Sequence, residues 1–381
     1  RSHHTHRLRP FYFPLFVVCE MAFVALAVMA LRGWPRRWGR SGWRAVAGLQ
    51  LAILAGPPAC FLAHLLAPAS WPAAALFALI VALTAALVLL AMCLSGTLLG
   101  PVLLTTGLLG AIILVDGLAG ARLQLASVFG YSPIVGGRFY GIGNESMSLL
   151  LGSSMVGAAA WLHAARGRDP ESRRYGPLEV AGLSLFFLVC VVVIGFPTLG
   201  ANAGGTMAAL AGCAAMVFML LPRRRRLPAL LLVTGLIGLF LACFIAADLR
   251  QAPDAQTHIG RAFRAVTEGG WPAFWRLATH KLARNLSMLF YTVWTLPVIG
   301  LVAFFTWALF RPQPVVRDIY QRYPAMRGAV VGCTVGSAVG FAFNDTGIAI
   351  PVIVMSCVFY AIAYIGAMLL ARREAAPAGP P

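Results

Sequence analysis

The chain has 381 residues, of which 60% are apolar and only 11% charged, with a mean hydropathy of +0.82. This excludes a soluble globular domain, whose charged fraction is normally about a quarter. The formal charge of +18 does not indicate nucleic-acid binding, because the basic residues sit in short loops between apolar runs and no basic face interleaved with aromatics appears.

Such loops set membrane topology and meet anionic lipid head groups. The expected fold is therefore all-α, a polytopic transmembrane helix bundle with membrane lipids as partners and no nucleic acid. A spanning helix takes about 20 mostly apolar residues, and eleven stretches meet that length.

The first, 11–31, carries Glu20 mid-helix, where internal pairing is expected, and is followed by Arg32, Arg36, Arg37, Arg40 and Arg44. Spans at 45–67, 71–94 and 98–119 come next, with Asp116 near the end of the third. A polar, glycine-rich stretch from Gly136 to Met147 (GGRFYGIGNESM) then leads into a span at 144–164, closed by Arg166, Arg168, Arg173 and Arg174. A span at 178–196 runs into a second such stretch, Gly195 to Thr206 (GFPTLGANAGGT), and on into 201–221, followed by Arg223 to Arg226.

After a span at 228–247, the segment 250–286 sets Ile259, Phe263, Val266, Trp271, Phe274, Trp275 and Leu277 near helical spacing, with Arg261, Arg264, Arg276, Lys281 and Arg284 between them. This pattern predicts one or two amphipathic helices lying in the interface. Spans at 287–310, 328–344 and 347–371 complete the set, with Arg311, Arg317, Arg322 and Arg327 after the first of these and Arg372 and Arg373 after the last. The stretch 372–381 is expected to be a disordered cytoplasmic tail, and residues 1–371 one transmembrane domain. No repeat of 20 to 50 residues stands out.

If eleven helices alternate, the arginine groups that follow 11–31, 144–164, 201–221, 287–310 and 347–371 fall on one side, and Arg122, Arg138 and the basic residues of 250–286 on the other. Short cytoplasmic loops are the ones enriched in Lys and Arg, so the N-terminus is expected outside and the C-terminus inside. Four polar stretches then share the outer side: 136–147, 195–206, Gln256 to Asn285, and Asn344 to Gly347 (NDTG).

Non-helical backbone at membrane depth is tolerated only where protein or a water-filled cavity surrounds it. The stretches 136–147, 195–206 and 340–347 read as broken helices, with Asn144, Asn202 and either Asn344 or Asp345 capping the helices that start after them. Three helix starts in one vestibule favour an anion, through exposed N–H groups and the helix dipole. The competing reading is that the glycines serve close packing and the Asn and Asp residues only cap.

Arg138 is a fork for a phosphate or carboxylate or else an ion-pair partner of Glu145 or Asp345. Glu145 and Asp345 are the acid–base or cation-binding candidates, although as capping carboxylates they would stay ionised. Tyr140, Asn144, Asn202, Thr206, Asn285 and Asn344 complete the polar lining. His258, Arg261, Lys281 and Arg284 either add positive potential above the vestibule or extend to lipid phosphates.

The eight cysteines lie inside apolar runs without C-x-x-C or His-rich spacing, so no metal site and no cofactor is expected. No G-x-S-x-G, P-loop or H-E-x-x-H is present. The chain opens on Arg1 without a signal-peptide pattern and is expected to be part of something longer.

At GYSPIVGGRFYGIGNE (Gly130 to Glu145), LGANAGGT (Leu199 to Thr206), HIGR (His258 to Arg261), KLARNL (Lys281 to Leu286) and FNDTGIAIP (Phe343 to Pro351), the chain resembles the membrane portion of a poorly characterised bacterial family. The resemblance spans roughly residues 97 to 365 and keeps the family's motif order. It implies a location in the bacterial cytoplasmic membrane. It also implies a partner domain outside the membrane, similar to the alkaline phosphatase superfamily, that precedes the helices in longer members. KLARN departs from the family's KLxMN pattern, with Arg284 in place of an apolar residue.

Three functions remain open on the sequence. One is a vestibule for an anionic, phosphorylated or lipid-linked envelope substrate beside a separate catalytic domain. Another is a secondary transporter coupled through Glu145 or Asp345, which inverted repeats would favour, and none are visible. A third is a structural anchor.

Overall fold

The computed structural model describes residues 38–67, 71–127, 141–165, 175–196, 198–250, 314–344 and 346–374, with isolated residues between 22 and 29, at 129, between 264 and 287, and at 300. Every regular element among them is a helix: α1 Gly39–Leu66, α2 Ala73–Leu94, α3 Gly100–Leu118, α4 Arg122–Ala126, α5 Asn144–Ala165, α6 Pro177–Gly195, α7 Ala203–Leu220, α8 Arg223–Leu249, α9 Pro314–Arg322, α10 Pro324–Phe343 and α11 Ala349–Arg373. Eight of them, α1, α2, α3, α5, α6, α7, α10 and α11, are long and apolar enough to cross a membrane. That is the construction of a multi-pass membrane protein. The spans expected at 11–31 and 287–310 lie almost wholly outside the described residues, and the one at 228–247 falls within α8.

The bundle is layered from centre to lipid. α11 is its axis, with Phe359, Tyr360 and Tyr364 buried, and α5 lies beside it, so close that a Cβ on Gly152 would fall 2.8 Å from Cys357 Sγ. α2 is the opposite case, exposing Phe77, Val81, Leu89, Leu90 and Leu94, which lipid covers at no hydrophobic cost.

α7 and α10 pack against each other through small residues. Gly328, Gly332, Gly336 and Gly340 recur every fourth position along α10, and Gly204, Ala208 and Gly212 do the same on α7. A Cβ on Gly212 would lie 2.8 Å from Gly332 O and 3.1 Å from Gly336 Cα. With lipid as solvent the hydrophobic effect does not pull helices together, so this close van der Waals contact is what joins them.

The packing also fixes helix direction. Trp43 near the start of α1 donates Nε1–H to Glu374 Oε1 just past the end of α11, at 2.9 Å, so these two helices are antiparallel. Gly204 meets Asn344 at one end of the α7–α10 pair and Gly328 meets Met216 at the other. One end of the bundle thereby collects Arg40, Arg44, Arg223 to Arg226, Arg317, Arg322, Arg327, Arg372 and Arg373. The opposite end collects the starts of α5, α7 and α11 with the ends of α3, α6 and α10.

Three expectations change. The polar stretches at 196–202 and 344–348 are turns between antiparallel helices, not interruptions within a span, because α6 and α10 each end before them and a new helix returns after them. The helix α11 continues through Arg373 into the stretch expected as a tail, held there by Arg373 Nη2 to Asp318 Oδ2 at 3.1 Å; residues 375–381 lie outside the described ones. The arginine-bearing loop before α10 contains an amphipathic helix, α9, with Val315, Val316 and Ile319 buried and Arg317 and Arg322 exposed.

Candidate functional site

Asn202 organises the polar end. Its backbone N–H donates to Ile194 O at 3.0 Å, closing the turn that brings α6 back as α7. Its Oδ1 accepts from Gly205 N at 2.8 Å, the N-cap bond expected of it. Its Nδ2 donates to Asn144 Oδ1 at 2.8 Å and to Ile142 O at 3.2 Å. One carboxamide thus ties the start of α7 to the start of α5.

The backbone strengthens the same joint. Ile142 N donates to Gly200 O at 2.8 Å, and Gly141, at φ +93°, sits so close to Gly200 O that a Cβ would clash with it. Only glycine fits that conformation and that space at once. Thr206 is fully buried and donates Oγ1–H back to Asn202 O at 2.8 Å.

Asn285 brings in the segment that follows α8. It is buried, and its Nδ2 donates to Phe341 O at 2.6 Å and to Asn344 O at 3.4 Å. It therefore meets carbonyls at the end of α10 that have no intrahelical partner. Described residues of 264–287 are helical, with Trp271 and Trp275 exposed, as an interfacial segment requires.

Asn344 completes the cluster. It lies 7% exposed against the first turn of α7, where a Cβ on Gly204 would fall 2.8 Å from its Cγ and 2.9 Å from its Nδ2. Its Nδ2 is buried with no hydrogen-bond partner, and so is Thr346 Oγ1 two residues on.

The start of α11 is also incomplete. Its N-cap is Ile348, with no side-chain cap bond, so Asn344 does not cap this helix as expected; Asp345, the alternative, lies outside the described residues. Ile348 and Ile350 are 3% and 1% exposed, so this helix start is set into the bundle, with Thr346 and Ala349 half-buried beside it.

Asn144 is the first residue of α5, and its side-chain oxygen is engaged by Asn202. Glu145 follows in the first turn, half-buried. Asp116 serves structure: its carboxylate accepts from Leu123 N at 2.8 Å and Gln124 N at 2.9 Å, capping the short α4. Arg138, Tyr140, His258, Arg261, Lys281 and Arg284 lie outside the described residues.

Two residues at this end escaped the sequence reading. Thr346 sits inside NDTG, where a threonine before a helix looks like an ordinary cap. Gln124 is fully buried with both amide atoms unpartnered, and nothing in the sequence around it distinguishes it.

No family model matches the chain, and neither a curated protein nor a solved structure shows significant similarity to it.

Proposed function

We propose that the chain is an integral-membrane module whose polar end binds an anionic, phosphorylated or lipid-linked substrate of envelope metabolism beside a separate catalytic domain. The observation that carries this reading is the meeting of four distant polar stretches at one end, around the starts of three helices, with buried donors left over. Helix starts offer N–H groups and the positive end of a dipole, which suits an anion.

Orientation follows from charge. The end that collects the arginines belongs at the cytoplasm, so the polar end faces away from it. In the full topology proposed here, eleven spans cross the bacterial cytoplasmic membrane with the N-terminus outside. The family resemblance then puts the hydrolase-like partner domain on the same side as the polar end. Arg138 would supply the fork for the anion, with Tyr140, His258, Arg261, Lys281 and Arg284 around it and Glu145 and Asp345 as the carboxylates available for proton transfer.

Native mass spectrometry of the protein released from its own membrane tests this. A co-purifying phosphorylated lipid is expected in the parent and lost in Arg138→Ala. A protein that carries only bulk lipids, equally in parent and variant, contradicts it.

A further inference from the structure

The unmatched polar groups at this end share one property. Asn344 Nδ2 is a donor and Thr346 Oγ1 carries a proton to donate. Beside them, Gly204 N in α7 and Ile350 N in α11 lie in first turns whose other groups are already committed, Gly205 N to Asn202 Oδ1 and Ala349 N to Thr346 O, while Pro351 has no N–H. The matched groups, at Asn202, Thr206 and Asn285, belong to the frame around them. A buried donor without a partner costs stability, and several together at one spot call for a ligand that brings only acceptors.

We propose that Asn344, Thr346 and the first turns of α7 and α11 form an oxyanion subsite that takes the phosphate group of the substrate. The inference rests on the anion-binding reading above and adds to it the place and the donors. Asn344 reaches this position because the α7–α10 glycine contact draws the end of α10 onto Gly204. Asn285, holding the Asn344 carbonyl, keeps the carboxamide on the α7 side. Glycine at 204 lets the Asn344 amide lie directly on the α7 backbone, since a Cβ there would fall 2.8 Å from its Cγ and 2.9 Å from its Nδ2.

The test measures binding of inorganic phosphate to the detergent-solubilised protein, and of phosphatidic acid to the protein in phosphatidylcholine nanodiscs, for the parent, Thr346→Val and Asn344→Ala. Valine keeps the shape of threonine and removes only the hydroxyl. The expected result is binding by the parent, weakened on the order of tenfold or more in each variant, the worth of one hydrogen bond to a charged group. The melting temperature of unliganded Thr346→Val should equal or exceed that of the parent, which a purely structural hydroxyl would not give.

Phosphate binding without lipid identifies a free anion as sufficient, and binding of phosphatidic acid alone identifies a lipid head group; either supports the subsite. Parent-like affinity in Thr346→Val overturns the subsite and leaves the wider anion-binding reading standing. A parent that binds neither probe overturns both. If Asn344→Ala does not fold, Thr346→Val decides alone.

Discussion

The turns at 196–202 and 344–348 have the same topological task. Each follows a helix that ends at the polar end and precedes one that starts there, yet the two are finished differently. In the first, Asn202 commits its backbone N–H and both side-chain polar atoms to the chain and caps α7. In the second, Asn344 and Thr346 each keep a buried polar atom without a partner, and α11 starts without a side-chain cap. A turn that satisfies itself is a joint, whereas one that leaves donors buried has stability to gain from something else.

Breaking the joint should have the largest effect. Asn202→Ala removes the α7 cap and leaves Gly205 N, Asn144 Oδ1 and Ile142 O without their partner. A loss of about 3 kcal/mol is expected from the cap and the orphaned groups together, read as a lowered melting temperature in detergent. A change within about 0.5 kcal/mol, the range of an inconsequential surface substitution, would show that the two turns do not differ in the way described.

The open turn should respond with the opposite sign and a smaller size. Thr346→Val deletes an unmatched hydroxyl from a half-buried position, so unliganded stability should rise by about 1 kcal/mol. A fall of similar size would mean that the hydroxyl has a partner in the ligand-free protein and that the turn is another joint.

The arginine end gives the smallest expected effect. Asp318 bonds Arg322 at 2.6 Å and Arg373 at 3.1 Å, but the two arginine side chains are 57% and 54% exposed. Asp318→Asn should therefore cost less than about 1 kcal/mol, and less again at high salt. A loss as large as that of Asn202→Ala would place the stability of the bundle at the wrong end.

These differences also mark what the sequence reveals. Spans such as α2, α5 and α11 were legible because an apolar run of membrane length has almost no other fate. The meeting of Asn144, Asn202, Asn285 and Asn344 at one end followed from counting alternations and tracking arginine. Edges were harder: α8 starts at Arg223, ahead of the apolar run, because arginine is a good helix former and its stem can lie along lipid with the head group in water. α9 was missed because its nine residues are too short and too charged to read as a span.

The division of labour among the asparagines was not legible at all. Whether a carboxamide is occupied depends on partners far off in sequence, as Asn202 with Asn144 and Asn285 with Phe341 illustrate. The four-residue glycine spacing of α10 was present in the sequence, but its partner helix shows only in the fold. Thr346 stands out only in the fold, where its Oγ1 is buried without a partner.

The most direct test of the central claim is an experimental density map of the protein in nanodiscs containing phosphatidic acid, at a resolution that shows hydrogen-bond partners. The account predicts density that does not belong to the chain within hydrogen-bonding distance of Asn344 Nδ2 and Thr346 Oγ1, at the starts of α7 and α11. Side chains of the protein itself bonded to both groups, or water alone beside them, would contradict it.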